Sequence, residues 1–195
     1  LNGLLSGYYL MIICSIFYVC FINDNILFIH EKEIKIVFLS LLIFFIFNIF
    51  GTVYLGDGGS YLVATFVGFY LIEFISSNSH INISPYYIAA LLWYPAFENL
   101  FSISRRVLKK NNVSSPDKQH LHQIIFLYIK SKNLIKVKFL NTFSSIIILL
   151  LNFPIFIFSS LMITHSQKLL FKIIFNIILY VLVYSFVSKN LKIKK

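Results

Sequence analysis

The chain has 195 residues, of which 58% are hydrophobic and only 12% are charged, and its mean hydropathy is +0.83. The charged share is about half that of a soluble domain, which excludes an ordinary water-soluble protein and indicates an integral membrane protein. The net charge of +10 is spread along the flanks of apolar segments, as membrane topology requires, and this spread excludes a nucleic-acid-binding surface.

Long apolar runs predict a bundle of transmembrane helices. Six runs approach the roughly 20 residues that cross a bilayer; in chain order they cover 3–22, 34–51, 61–76, 85–103, 139–163 and 169–187. Cys14 and Cys20 lie on different faces of the first predicted helix, which favours buried thiols over a disulfide or a metal site. The chain opens "LNGLLSG" without Met or a basic flank, so we expect Leu1 to be an internal residue of a longer protein. The predicted fold is all-α, with one integral membrane domain over 1–195.

Positive charge orients the predicted spans. Nine of the 17 Lys and Arg residues fall in the segment 102–138, and four more lie in the C-terminal tail. The loops on the opposite side hold only Lys32 and Lys168. With six spans, both basic groups lie on one side of the membrane, which the Lys and Arg excess makes cytoplasmic. The same count places the stretch "YLGDGGSYL" on this side.

That stretch, between the second and third spans, contains the acidic residue Asp57. A carboxylate at a membrane is costly unless it is hydrated, paired or bound to a cation. Gly58 and Gly59 allow the backbone to approach a ligand and leave amides for anionic oxygens. Asp57 is therefore a candidate ligand of Mg²⁺ that carries a phosphate. The alternative is an ordinary interhelical turn, because Asp, Gly and Ser are common turn residues.

The basic loop contains a predicted amphipathic helix. Ser115 is the expected N-cap, with Pro116 at the first helical position and Asp117 in the first turn. Apolar residues over 121–129 then recur with helical spacing on one face. We expect this helix to lie on the cytoplasmic membrane surface.

Two histidines, His120 and His122, lie at the start of this apolar stripe. Because they are two residues apart, a regular helix directs them differently, and they converge on a ligand only if the helix begins late. The alternative is a basic loop that only sets the topology and attracts anionic lipid headgroups. We expect no role for the histidines of the opposite side, which are His30, His80 and His165.

The fourth span ends in "YPAFENLFSISRR". Arg105 and Arg106 suit a clamp on a diphosphate, and the alternative is that both are interfacial anchors. Glu98 precedes them by one or two helical turns. An acid at that position can pair with an arginine, hold a metal-bound water or contact a substrate.

Three stretches in this order, "YLGDGGSYL", "WYPAFENLFSISRR" and "SSPDKQHLHQ", closely resemble the polyprenyl-phosphate sugar-1-phosphate transferases. This membrane superfamily includes the bacterial undecaprenyl-phosphate N-acetylglucosamine-1-phosphate transferases and the phospho-N-acetylmuramoyl-pentapeptide transferases. The opening "LNGLLSG" resembles the end of an Asp-Gly-x-x-Gly-Leu stretch of the family, so the likeness covers the later half or more of the family core. The histidine-rich sequence of the muramoyl-pentapeptide branch is not present in its usual form, which favours the N-acetylhexosamine branch.

The resemblance implies the transfer of a sugar-1-phosphate, an N-acetylhexosamine-1-phosphate, from a UDP-sugar to undecaprenyl phosphate. UMP is released, and the lipid-linked product is the first sugar of a cell-surface glycan, such as a lipopolysaccharide O-antigen or a cell-wall polymer. The implied cofactor is Mg²⁺, or Mn²⁺ in its place. The implied location is the bacterial plasma (inner) membrane, with the active site facing the cytoplasm and membrane lipids as partners. The particular UDP-sugar, the glycan pathway and the oligomeric state, a homodimer included, are left open.

The resemblance also assigns residues. Asp57 matches the acid of a Gly-Asp-x-Gly-Ser motif that is implicated in Mg²⁺ binding. His120 and His122 match the histidine motif of the cytoplasmic loop that closes over the phosphates, with Gln123 where the family often has another histidine. Asp57, His120 and His122 are then the expected catalytic residues, and Asp57 is the expected metal ligand. The expected substrate-binding residues are Gly58, Gly59, Ser60, Glu98, Arg105 and Arg106.

Two other classes of protein are left open. The upstream Asp-Asp pair and the Asn/Asp metal motif of the family do not occur in this sequence, so a noncatalytic membrane fragment or paralogue is the main alternative. A transporter would explain six helices and buried acids, but it explains the acid, arginines and histidines on one side less well.

Overall fold

The computed structural model describes residues 2–23, 25–26, 30–110, 117, 119–132 and 135–191. Within these residues the regular structure is helical throughout, which confirms the all-α fold class. The elements are α1 (Leu4–Ile22), α2 (Glu31–Ile49), α3 (Gly56–Ser77), α4 (Pro85–Leu108), α5 (Leu121–Ser131), a 3₁₀ turn (Val137–Phe139), α6 (Leu140–Leu161) and α7 (Ser166–Asn190).

In the part of the chain that the structure describes, four helical segments are long and apolar enough to cross a membrane, which indicates a membrane protein. They are Leu4–Ile22, Gly56–Ser77, Val137–Leu161 and Ser166–Asn190. α2 and α4 cover the two other predicted runs but are interrupted by charged or polar residues. α2 begins with four charged residues among its first five, whereas α4 contains Trp, Tyr, Pro and Glu residues. The count of six spans therefore stays a prediction.

Helix α1 packs tightly against α6 and α2. A Cβ atom added to Gly7 would lie 2.6 Å from the side chain of Leu149 on α6 and 2.8 Å from that of Phe45 on α2. Small residues of this kind let helices approach closely in a bilayer. Farther along α1, the hydroxyls of Ser15 and Ser160 are 2.6 Å apart, a hydrogen bond that joins α1 to α6. α1 thus joins α2 to α6.

Hydrogen bonds between helix ends show how the helices alternate. The Thr142 hydroxyl at the start of α6 donates to the carbonyl of Ile49 at the end of α2, over 2.6 Å. At the opposite end of the bundle, the amide of Ser84 before α4 donates to the carbonyl of Ile163 after α6, over 2.9 Å. The end of α2, the start of α3 with Asp57, the end of α4 and the start of α6 consequently share one end of the bundle. We call it the loop end.

Helix α5 begins later than the sequence predicts. Ser115 and Pro116 lie outside the described residues, but Asp117 is not helical and the first helical residue is Leu121. The prediction that Asp117 lies in the first turn was therefore wrong. The physical reason is that the Asp117 side chain accepts a hydrogen bond from the amide of Gln119, which turns the chain before the helix. Four apolar residues of α5 are buried in the bundle: Leu121, Ile124, Ile125 and Ile129.

The cysteine prediction was half wrong. Both thiols are free, as expected, but Cys14 is exposed and Cys20 is only half-buried. Cys14 lies in an apolar groove between α1 and α6 that opens to the surroundings, so its thiol is not enclosed in the core.

Candidate functional site

A buried carboxylate on α4 holds the segment that leads into α5. The Glu98 side chain is 7% exposed. Its Oε1 accepts hydrogen bonds from His120 Nδ1, at 3.0 Å, and from the backbone amide of Leu121, at 2.8 Å. Its Oε2 accepts one from the hydroxyl of Tyr180 on α7, at 2.7 Å. A carboxylate so deep in an apolar bundle is stable only when its oxygens are paired, and here both are.

A second acid–base pair lies two turns farther along α4. Arg105 forms an ion pair with Asp117, and each side chain is 10% exposed. Arg105 also donates to the carbonyl of Gln119 and, over 2.6 Å, to the hydroxyl of Tyr184 on α7. Ser102 donates to the same Asp117 oxygen as Arg105. The guanidinium group therefore points into the protein and fixes Asp117 and Gln119 against α4 and α7.

These contacts form one connected network. We call it the clamp and define it by Glu98, Ser102, Arg105, Asp117, His120, Tyr180 and Tyr184. It joins α4, the segment before α5 and α7.

The clamp shifts the protonation of its own members. Burial would raise the pKa of Asp117, but the hydrogen bonds from Ser102 and Gln119 and the charge of Arg105 lower that pKa below its usual range. The hydrogen bond to Glu98 raises the pKa of His120 against the opposing effect of burial. His120 Nε2 also lies 3.8 Å from Asp117 Oδ2. The imidazolium form of His120 is therefore favoured between two carboxylates.

His122 lies beside this charged pair but has a different environment. Its ring stacks on that of His120, with centroids 5.4 Å apart and planes at 4°. Burial lowers the pKa of His122 to about 4, so its imidazole is neutral near pH 7. The two histidines lie side by side because His120 precedes α5 and His122 lies in its first turn. A neutral imidazole offers one donor and one acceptor.

The second candidate region is the start of α3. The stretch around Asp57 is the exposed first turn of α3, not the ordinary interhelical turn that the sequence left open as the alternative. Gly56 begins the helix with φ +65°, and the hydroxyl of Ser60 donates to its carbonyl over 2.6 Å. A Cβ atom on Gly58 would meet nothing within 4 Å, whereas one on Gly59 would come within 3.0 Å of a neighbouring leucine side chain. The first turn is consequently open to a ligand on the side of Gly58.

Asp57 stays apart from the clamp. It is exposed, and no hydrogen bond or ion pair between described residues joins it to Glu98, Arg105 or His120. The sequence places these residues at one end of the bundle, and the structure agrees, but it assembles only the α4 and loop residues into a cluster.

The described part of the chain does not form a complete magnesium site. It contains no group of three or more His, Cys, Asp or Glu side chains placed to hold a metal ion. The hard carboxylate oxygens of Asp57 suit Mg²⁺, but the ion prefers octahedral coordination, of which one carboxylate fills only a part. Asp57 would need ligands from elsewhere, such as phosphate oxygens and water.

The remaining predicted residues have simple positions. Arg106 follows Arg105 and is half-buried at the end of α4. The three histidines for which no role is expected lie at the end of the bundle opposite the loop end. His30 and His165 precede α2 and α7, and His80 contacts the carbonyl of Asn25 at 3.1 Å.

Sequence reasoning missed the contribution of α7. Tyr180 and Tyr184 complete the clamp, whereas the sequence predicts only a membrane helix for this segment. A signal was present, because Asn176, Tyr180 and Tyr184 recur every four residues and so mark one polar face on an otherwise apolar helix. All three are buried.

Comparisons with known proteins did not identify the chain. A scan against models of protein families, a search of curated proteins and a search of solved structures each found no match. The motif resemblance thus stays a prediction, and the function has to be inferred from the motifs and the geometry of the site.

Proposed function

We propose that the protein transfers an N-acetylhexosamine-1-phosphate from a UDP-sugar to undecaprenyl phosphate in a bacterial plasma membrane. One observation supports this proposal best. Glu98, Arg105 and His120, which belong to two of the three motifs, meet in the clamp, and the third motif, with Asp57, lies at the same end of the bundle. The alternation of the helices accounts for the shared end, but it does not require Glu98, Arg105 and His120 to form one cluster.

In this proposal the clamp residues position the loop. Glu98, Arg105 and His120 already have partners inside the protein, so their charges hold residue 117 and residues 119–122 in place. His122 is neutral and half-buried beside them, and it would contact the diphosphate of the nucleotide sugar. Arg106, at the end of α4, would add positive charge near the same diphosphate.

The start of α3 would hold the other side of the diphosphate. The first amides of a helix lack intrahelical partners, and the helix dipole favours anions there. The open side of Gly58 would allow phosphate oxygens to approach the backbone, with Gly59 and Ser60 in the same turn. Asp57 would supply one carboxylate ligand to Mg²⁺, or Mn²⁺, and when bound the metal would offset the negative charge of the phosphates.

Topology supports a site at the membrane surface. With α2 and α4 as additional spans, six helices alternate, and the Lys and Arg excess makes the loop end cytoplasmic. α5 would then lie at the cytoplasmic surface. One reactant is a lipid and the other is a soluble nucleotide, so their reaction requires such an interface.

The reaction requires little covalent participation by the protein. An oxygen of the polyprenyl phosphate attacks the β-phosphorus of the UDP-sugar, the bond from that phosphorus to the bridging oxygen breaks, and UMP leaves with that oxygen. Both reactants are anionic, so positioning and electrostatic compensation dominate such phosphoryl transfers. Positive charge and helix amides at the loop end are the features of this chain that serve that need.

The proposal is tested with the protein as its natural gene encodes it, purified and reconstituted in liposomes. UDP-N-acetylglucosamine, undecaprenyl phosphate and Mg²⁺ are supplied together and with each omitted in turn, and released UMP and lipid-linked sugar are measured. UMP that requires both substrates supports the proposal. If no UDP-N-acetylhexosamine gives UMP, the proposal fails: tight nucleotide binding without turnover then favours the noncatalytic alternative, and flux of a solute without UMP favours a transporter.

A further inference from the structure

A small cavity lies next to the clamp on the side away from the loop end. Residues of α4, α5, α6 and α7 line it, half of them apolar, and its volume is about 20 Å³. Its polar lining residues are Trp93 and Tyr94 on α4, Asn152 on α6, and Asn176 and Tyr180 on α7. Tyr180 belongs to both features, since its ring lines the cavity and its hydroxyl donates to Glu98.

Four buried polar atoms of this lining have no hydrogen-bond partner among the described residues. They are Trp93 Nε1, Tyr94 Oη, Asn152 Oδ1 and Asn176 Nδ2. The four side chains are 7%, 6%, 2% and 3% exposed, respectively. A buried polar atom that is left without a hydrogen bond destabilises the fold. Four of them around one cavity indicate that the cavity binds something polar.

The amide of Asn152 has a defined orientation. Its Nδ2 donates to the carbonyl of Ile148 over 2.8 Å, so its Oδ1 is the atom left without a partner. The lining therefore offers donors from Trp93 and Asn176, an acceptor from Asn152, and the hydroxyl of Tyr94, which also interacts with the Glu98 carboxylate. A water molecule, which accepts two hydrogen bonds and donates two, matches this set.

The size of the cavity also fits one water molecule. A cavity needs roughly 10–15 Å³ to hold one water, and buried waters make about three hydrogen bonds to groups that otherwise lack partners. A sugar, a nucleotide or a lipid headgroup is far too large for 20 Å³. An apolar occupant would leave all four polar atoms unsatisfied.

We propose that one ordered water molecule binds in this cavity through at least three of the four polar atoms and thereby ties α6 to α4 and α7 next to the clamp. The site is independent of the proposed transferase activity. It gives the polar face of α7 a continuous set of partners, from Asn176 at the water to Tyr180 and Tyr184 in the clamp.

Radiolytic hydroxyl labelling of the purified full-length protein tests the site, because ordered water next to a buried ring promotes oxidation of that ring. Tyr94 is the reporter. Tyr87 is the matched control, since it lies on the same helix, is 0% exposed and already contacts Ser15. We expect several-fold faster labelling of Tyr94 than of Tyr87, with incorporation of ¹⁸O from labelled water. Equal, slow labelling of the two tyrosines would overturn the proposal.

The Asn176→Leu variant adds a second test, with Asn190→Leu as its control at the exposed end of the same helix. We expect Asn176→Leu to reduce labelling of Tyr94 to the level of Tyr87, whereas Asn190→Leu leaves it unchanged. Unchanged labelling in Asn176→Leu would overturn the assignment of Asn176 as a water ligand. If Asn176→Leu does not fold, the comparison of Tyr94 with Tyr87 in the wild type still tests whether water binds in the cavity.

Discussion

Two regions at the loop end carry the motif residues, and they differ in how their charges are used. In the clamp, charged groups are buried and paired across α4, the segment before α5 and α7. At the start of α3, Asp57 is exposed and stands outside that network. The residues that carry the resemblance therefore divide into a buried, paired group and an exposed group. Substitutions in the first group should lower stability, whereas those in the second should lower activity alone.

The largest expected effect on stability comes from Asp117→Asn. This change leaves Arg105 nearly buried without its counter-ion, and we expect a loss of about 3 kcal/mol in the free energy of unfolding. Reversible denaturation in mixed micelles measures it. Glu31→Gln is the control, because Glu31 pairs with Lys35 on the exposed surface, with both side chains 58% exposed, and should lose well under 1 kcal/mol. Equal losses in the two variants would show that the clamp does not stabilise the protein.

His122→Ala tests the open side of the clamp. If this neutral imidazole contacts the diphosphate, its removal should lower kcat/KM for the UDP-sugar by about 100-fold, in the range typical of one catalytic group. His80→Ala, at the opposite end of the bundle, should leave kcat/KM unchanged. An unchanged kcat/KM for His122→Ala would indicate that the basic loop only sets the membrane topology.

The two stacked histidines should give stability a maximum near neutral pH. The pKa of His122 is about 4 in the folded protein and 6.5 ordinarily, so the unfolded chain takes up the proton first as the pH falls. Stability should therefore decrease between pH 6.5 and pH 4, by about 2–3 kcal/mol at about 1.4 kcal/mol per pKa unit. The raised pKa of His120 acts in the opposite sense: its stabilisation is complete below pH 6.5 and is lost as the pH rises through the raised value.

Unfolding of the wild type and of His122→Gln across this pH range measures the effect. The variant should show a flatter decrease between pH 6.5 and pH 4. Any decrease below pH 4 should persist in both proteins, because the lowered pKa of Asp117 is titrated there. Identical curves between pH 6.5 and pH 4 would contradict the burial of a neutral His122.

Tyr180→Phe should have the smallest of these effects. It removes one buried hydrogen bond to a carboxylate and keeps the ring, so we expect a loss of about 1.5 kcal/mol in the free energy of unfolding. Tyr61→Phe is the control, because Tyr61 is 73% exposed. A loss no greater than that of the control would show that the contact of α7 with Glu98 does not stabilise the protein.

The sequence predicts the helices well because apolar runs of about 20 residues have few other structures. The sharing of one end by Asp57 and the basic loop also follows from counting runs, and the bond from Thr142 to Ile49 agrees with it. The start of α5 could not be predicted, since it depends on the contact of Asp117 with Arg105 and Ser102, residues that are brought together only by folding.

The division of roles could not be predicted either. Arg105 and Arg106 are adjacent and chemically identical, yet only Arg105 faces Asp117 and Tyr184, because neighbouring residues on a helix point about 100° apart. The helical start of α3 was missed because Gly58 and Gly59 disfavour helix interiors, although glycine is tolerated at an N-terminal turn.

The most direct test of the account is Asp57→Asn in the protein as its natural gene encodes it, with UMP release and unfolding measured on the same preparation. Glu33→Gln, an exposed acid near the opposite end of the bundle, is the control. The account predicts that Asp57→Asn nearly abolishes UMP release while its unfolding matches that of the wild type, and that Glu33→Gln changes neither. Full activity in Asp57→Asn would contradict the assignment of Asp57 to the active site.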